Sequence, residues 1–394
     1  MNRQSAVALF GFCLLLALAT AQLSPVSDQH DPDNAAIKYL RADIALRQSY
    51  ALPPDAVSQL QHALESPLNA EDDKLVAAAD EALVEFQHGA LLKTCDWAVS
   101  VEDGPFANTS HRGAIGELVA VSGLRARLRF RDGDSAGAIA DVLAAMAAAR
   151  HLSTDGSLAS VLLSYRHEVA IEKVISAHLA QLPPKQLSTL SQGLRRLPGG
   201  ASLADALRSE KLDRDDLLII SKAAETRDEL IEQLVRNIPT LSSDRVRAAS
   251  IVDGCGGTTQ GFTECVRGQE AFYRHWATRF ALPPEQFETE YKAELEKLTP
   301  INPVLKWFTP SLSRMRWPDA YIQTQRALLN AAISVCLRGP AALRDYPDPY
   351  DNGQFSYARL DHGFRLESRL SEDGKSPIAL VAGIGMDGQS STPK

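Results

Sequence analysis

The stretch GAIGELVAVSGLRARLRFRDGDSAGAIADVLAAMAAARHL, residues 113–152, decides the fold class of this chain. Ile115, Leu118, Val121, Leu124 and Leu128 recur at steps of three and four residues, the spacing that lines one face of an α-helix. Asp132-Gly133-Asp134 interrupts the run, and Ile139, Leu143, Met146 and Ala147 resume it. The pattern predicts two antiparallel amphipathic helices joined by a tight turn. The second half is alanine-rich, at Ala138, Ala140, Ala144, Ala145, Ala147, Ala148 and Ala149, and side chains that small let a neighbouring helix approach closely.

Working outward, helix signals dominate on both sides. Apolar spacing predicts helices over about 34–48, 55–65, 70–93, 157–180, 184–196, 202–237, 243–252, 264–280, 284–298 and 318–338. Leu-Pro-Pro recurs at Leu52-Pro53-Pro54, Leu182-Pro183-Pro184 and Leu282-Pro283-Pro284. Proline suits the first helical turn and is excluded deeper in, so each reads as a loop-to-helix entry. Their unequal separations define no repeat. Pairs with small residues turned to a neighbour are what tetratricopeptide-like arrays use, but the Trp, Gly, Tyr and Pro signature of that repeat is absent. The expected fold is therefore mainly α: stacked helical hairpins, tetratricopeptide-like or an irregular α-array.

After Arg344 the character changes. Residues 345–353, DYPDPYDNG, are turn chemistry, and Phe355, Tyr357, Phe364 and Leu366 fall at spacing two around Asp361-His362-Gly363. A three-residue hairpin loop with Gly363 left-handed is expected, and Ile378 to Val381 offer a third strand. The chain thus divides into a signal peptide at 1–21, a flexible lead at 22–33, a helical domain at 34–344, a small β-hairpin or three-stranded module at 345–386, and a disordered tail at 387–394.

The first residues set the compartment. Arg3 precedes an apolar run from Ala6 to Ala19 that is too short to span a bilayer, and Ala19-Thr20-Ala21 presents small side chains to a signal peptidase. Cleavage after Ala21, export to a periplasmic or extracellular location, and no stable membrane insertion afterwards are expected. Cys13 follows Phe12 inside the run, which does not suit lipidation. The whole chain carries 41 Lys and Arg against 49 Asp and Glu; loss of residues 1–21, which hold Arg3 and no acid, leaves a net charge of −9. Such a surface repels nucleic acid and anionic lipid.

Cys95, Cys255, Cys265 and Cys336 remain after cleavage. In an oxidising compartment a short bridge between Cys255 and Cys265 across a glycine-rich loop is one reading, and buried thiols are the other. No Cys-x-x-Cys occurs, so thioredoxin-like chemistry and zinc knuckles have no support.

Several stretches together resemble an uncharacterised family of secreted bacterial helical proteins. They are Cys95-Asp96-Trp97 with Glu102-Asp103-Gly104-Pro105, the segment from Leu124 to Leu152, and Ala204-Asp205-Ala206-Leu207-Arg208-Ser209-Glu210. Asp348-Pro349-Tyr350-Asp351, Phe355-Ser356-Tyr357 and Gly363-Phe364-Arg365-Leu366 match its tail, an Asp-Pro-aromatic turn followed by a β-hairpin. Glu367-Ser368 stands where that family has Tyr-Ser, and the linker before Tyr346 is shorter. The resemblance implies architecture and export, and no activity.

No catalytic signature stands out. His167-Glu168 and His178 share a helical face, but Ile171 occupies the place where a zincin needs its second histidine; a packed or rim histidine pair beside a solvated Glu168–Glu172 face is expected. Residues 254–261, GCGGTTQG, lack the Lys-Ser/Thr ending of a phosphate loop. Asp345, Asp348, Asp351 and Asn352 offer calcium-type oxygens, and the tail faintly resembles that of major pseudopilins, yet the spacing fits ordinary turns better. Arg125, Arg127, Arg129 and Arg131 alternate, which would scatter them over a solvated surface. Trp97, Trp276, Trp307 and Trp317 read as core or interface anchors, and Asn108-Thr109-Ser110 is a glycosylation sequon. No cofactor or metal is called for. The expected role is an exported helical scaffold or interaction module with a protein partner; the alternative is a cell-envelope hydrolase whose acid and base residues the fold brings together.

Overall fold

The computed structural model describes residues 33–51, 55–99, 109–209, 212–298, 300–308, 312–351, 353–371 and 376–383. The signal peptide with its cleavage site at Ala21, nearly all of the lead, Leu52-Pro53-Pro54, Asn108, Asn352 and the tail from Asp387 lie outside these residues. The fold is mainly α with a small carboxyl-terminal antiparallel sheet, as the hydrophobic patterning indicates. No described helix is long and apolar enough to cross a membrane.

The amino-terminal body holds α1 (Ala35–Ser49), α2 (Ala56–Glu65), α3 (Ala70–Ala78), α4 (Asp80–Ala90), α5 (His111–Arg131), α6 (Ser135–Leu152) and α7 (Leu158–Ser176). The quoted stretch forms the α5–α6 hairpin, and Asp134 caps α6 by accepting from the Gly137 amide. Its first helix is not amphipathic: every residue from 114 to 128 is buried, because α1, α2, α3, α4, α6 and α7 surround it. Buried polar side chains on α5 are matched by partners. Arg125 donates to Asp141 of α6, itself fully buried. Arg127 donates to the carbonyls of Ala63 and Leu64, closing the carboxyl end of α2. The expected solvated arginine face is therefore corrected for these two; Arg131 does stay at the surface, paired with Asp73.

Beyond α7 the chain continues through α8 (Pro184–Arg196), α9 (Leu203–Ser209), α10 (Leu212–Lys222), α11 (Arg227–Asn237), α12 (Arg245–Gly254), α13 (Thr259–Ala277), α14 (Pro284–Leu298), α15 (Pro303–Phe308) and α16 (Leu312–Arg338). The Pro184 and Pro284 entries begin helices, as the Leu-Pro-Pro reading holds. The stretch 202–237 is three helices, with Thr226 forming a capping box that starts the last. An aromatic core of Phe272, Tyr273, Trp276, Phe280, Phe287 and Tyr291 joins α13 and α14 to α9 and α16. A separate apolar cluster, including Ile231, Leu234, Ile251 and Phe262, holds α10 to α13 together. The helix expected from 318 starts at Leu312 and runs through Pro318. Proline removes one backbone bond there, but fully buried Leu312 and Arg316 hold the first turns in place.

The sheet has the order β1-β2-β3, with β1 (Ser356–Leu360), β2 (Gly363–Glu367) and β3 (Ala379–Ala382) all antiparallel. Leu366, Leu380 and Ala382 bury one face against α16 and α7. The hairpin loop is two residues, Asp361 and His362, because Gly363 already pairs with Leu360. Gly363 adopts φ 151°, and a Cβ there would stand 1.8 Å from the Ala382 carbonyl oxygen, so glycine is required for β3 to lie alongside.

Candidate functional site

A groove runs between α2, α7, α16 and β3. It consists of two adjoining cavities of about 1040 and 380 Å³ that share Val169, Lys173, Tyr321 and Ala379. The larger is at the upper end of the range for small-molecule sites. Helical spacing places Leu162, Arg166, Val169, Ala170 and Lys173 of α7 on one wall. Trp317 and Tyr321 of α16 form an aromatic floor, and Ser58, Gln61 and His62 of α2 close the far end.

The opposite wall is the edge of the sheet. The Ser368 amide donates to the Ile378 carbonyl, which fixes 368–378, 366–380 and 364–382 as the hydrogen-bonded pairs of the β2–β3 ladder. The backbone N–H and C=O groups of Ala379 and Val381 consequently point away from β2, along the groove. β3 is the terminal strand on this side, and the Gly383 amide, donating to the Ser176 carbonyl, ties its end to the end of α7.

Behind the α7 wall lies a buried charge network. Glu168 is 1 % exposed and accepts from Arg326 Nε at 3.0 Å, from Arg326 Nη2 on its other oxygen, and from Arg150 Nε at 3.3 Å. One turn on, Glu172 lines the smaller cavity, and its Oε2 is buried without a partner. Burial, and then the Glu168 charge, push its carboxyl up to about 8, so it carries a proton at neutral pH. Gln61 Oε1, at the other end of the groove, is also buried without a donor. The network continues through the Arg326 guanidinium over the Tyr165 ring, the Tyr165 hydroxyl donating to Asp319 at 3.0 Å, and Arg316 donating to Asp319 and to the Tyr350 hydroxyl.

Glu168 and Glu172 are thus buried, not a solvated face, and this corrects the expectation for them. Glu168 lies one turn before Ile171 and two before Ile175, and Glu172 one turn before Ile175, so acids beside an apolar stripe were the signal that could have marked them. His167 is buried, and its imidazole touches the place where a Cβ on Gly116 would be; His178 stacks on Phe130 at 4.2 Å. Gly116 and Phe130 are about 21 Å apart along α5 at 1.5 Å per residue, so the two histidines serve different contacts.

The other candidates resolve into structural roles. Cys255 and Cys265 are free thiols, not a formed bridge, within one apolar cluster. The 254–261 segment ends α12 and begins α13, with Gly256 and Gly257 left-handed. Asp348 accepts from Ser368 Oγ and from the Arg369 and Tyr350 amides, while Asp345 pairs with Arg338 and Asp351 with Arg369. Among the described residues, no group of three acids, histidines or cysteines is placed to hold a metal ion. Trp276 is core and Trp97 stacks on His111; Trp307 is half exposed beneath Arg247, and Trp317 lines the groove. A second polar cluster, near the start of α7, has both Ser160 and His111 donating to buried Asp155. The serine and histidine meet the acid, not each other, so this is no activated nucleophile.

Comparison of the chain with protein-family models, with curated proteins and with solved structures gave no match.

Proposed function

We propose that this chain is an exported protein-interaction module that holds an extended polypeptide segment of a protein partner in the α2/α7/α16/β3 groove. The observation that carries the reading is the outer edge of β3, which pairs with no other strand among the described residues and forms one wall of that groove. An open strand edge offers N–H and C=O groups at the spacing of another backbone, and strand addition is the recognition mode that uses them. The aromatic floor of Trp317 and Tyr321 suits alternate side chains of such a strand, and Gln61 Oε1 awaits a donor. The amino-terminal apolar run and the resemblance to secreted helical proteins support export.

A hydrolase reading is weaker at this place. Acid and base catalysis on a glycoside needs two carboxyl groups free to act. Both oxygens of Glu168 are held by guanidinium groups and Glu65 is paired with Lys173, which leaves Glu172 alone.

The test is selection of random linear peptides on the purified chain lacking residues 1–21, followed by amide hydrogen exchange with the best binder. Slowed exchange at Ala379 and Val381 is the expected result. Binders that leave both amides unchanged would refute strand addition in this groove.

A further inference from the structure

The smaller cavity adds chemical detail to the groove. Its apolar walls are Val169, Ala177 and Leu380, and of its polar side chains Gln325 Nε2 and Lys173 Nζ are already spent as donors, on Tyr321 and Glu65. Glu172 Oε2 has no partner. Ser176 Oγ has given its hydrogen to the Lys173 carbonyl at 3.0 Å, and the Tyr321 hydroxyl oxygen already accepts from Gln325 at 3.0 Å. The cavity is therefore lined by Glu172, whose unmatched carboxyl oxygen is buried in its wall, and by a serine oxygen able to accept. That is the complement of an aliphatic stem ending in a group with donors only.

We propose that this cavity is a specificity pocket for a primary ammonium, the lysine side chain of the segment held in the groove, with Glu172 as its carboxylate partner. The inference rests on the groove reading for the source of the lysine, but not for the ammonium chemistry. A single unmatched oxygen suits a compact point charge, whereas a guanidinium fork needs two acceptors side by side.

Charge balance supports an exchange. The groups facing Glu172 are Glu168 on its own helix, Arg150 from α6 and Arg326 from α16. β3 contributes only Ala379, Leu380 and Val381, and Lys173 at the rim is engaged by Glu65 at 2.7 Å. With Glu172 protonated, the two guanidinium groups face one carboxylate, and the set carries one net positive charge. An entering R–NH3⁺ replaces that proton: the carboxyl O–H bond breaks, the proton leaves to solvent, and the carboxylate pairs with the ammonium. The net charge of the pocket is the same before and after. Affinity is then expected to rise close to tenfold per pH unit below about pH 8, where the carboxyl holds its proton, and to level off above it.

The experiment is calorimetric titration of the purified chain with n-pentylammonium chloride at pH 7, in two buffers of different ionisation enthalpy, with n-pentanol as the neutral control. Binding of the amine but not the alcohol, with about one proton released, is the expected result. Glu172→Gln should weaken it at least tenfold and abolish the proton release; its melting at pH 5, where wild type is also uncharged at this position, checks that the variant folds. Ser176→Ala, which removes the cavity's other accepting oxygen, provides a milder variant and should weaken binding several-fold. Equal binding by wild type and E172Q, or binding without proton release, overturns the proposal. Peptides selected on the chain separate the two readings. Edge protection at Ala379 and Val381 with no loss on replacing lysine by norleucine leaves the groove and removes the pocket. Amine binding with proton release, but no peptide on the edge, does the reverse.

Discussion

Arg326 and Glu168 are 158 residues apart in sequence, and the guanidinium of the first engages both carboxylate oxygens of the second. This fork joins α16 to α7 directly behind the groove. Arg326→Met should lower unfolding free energy by about 2–3 kcal/mol, since hydrogen bonds to charged groups contribute about 1.5–3 kcal/mol and Arg150 still partners the acid. Urea unfolding monitored by circular dichroism measures it. A loss below about 0.5 kcal/mol would show that the fork adds nothing beyond packing.

Two buried histidines set an acid limit. Burial lowers His151 and His167 to about 4, from an unfolded value near 6.5. The unfolded chain therefore binds more protons between these values. Their contribution is complete above pH 6.5 and is lost as pH falls toward 4, by up to about 1.4 kcal/mol per pH unit for each group. The melting temperature should fall over that window, and His167→Gln should flatten part of the slope.

Glu172 acts with the opposite sign. Its folded carboxyl titrates at about 8 and its unfolded one near 4.5, so the folded chain binds the extra proton between them. Stability from this group is present below pH 4.5 and is lost as pH rises to 8. E172Q, unable to ionise, should gain on wild type steadily from pH 5 to 8 in thermal melts. Parallel curves would place the carboxyl in a more polar setting.

Asp348 organises the turn that carries the sheet. Asp348→Ala leaves the Ser368 hydroxyl and the Arg369 and Tyr350 amides without their acceptor, at a cost of about 2–4 kcal/mol by the usual penalty for buried unmatched groups. Near-ultraviolet circular dichroism should report loosening of the Tyr350 and Tyr357 surroundings. Calcium should leave the melting temperature of wild type unchanged, because these acid oxygens already serve internal donors.

Cys255 and Cys265 belong to one apolar cluster, so oxidation that draws them together should remove two hydrogens and close the bridge. Intact mass and thiol titration would register it, and a loop of this size should add about 3 kcal/mol. Two thiols persisting under oxidant would assign the pair to packing alone.

Much of this architecture was legible in local pattern. The α5–α6 hairpin followed from apolar spacing broken at Asp132-Gly133-Asp134, and the third strand from Ile378 to Val381 lies within one residue of β3. What local pattern missed depends on distant partners. Arg125 and Arg127 look like surface cations until Asp141 and the end of α2 receive them. Glu172 looks like a helix-surface acid until α16 and β3 close over it. Pro318 looks like a helix start because the packing of Arg316 against Leu282 and Tyr350 cannot be seen in its own segment. The groove has four walls from residues more than 300 positions apart, and no short motif encodes such a meeting.

The encirclement of α5 has a kinetic meaning. A row of stacked repeats can fray from either end, because each unit touches only its neighbours. Here the helix that carries residues 114–128 touches six others at once, so its buried amides are expected to open only when the surrounding body comes apart. Those amides should be the slowest in the chain to exchange with solvent, at a rate that reports global unfolding. The lifetime of the molecule against a protease is then governed by one cooperative event centred on this helix.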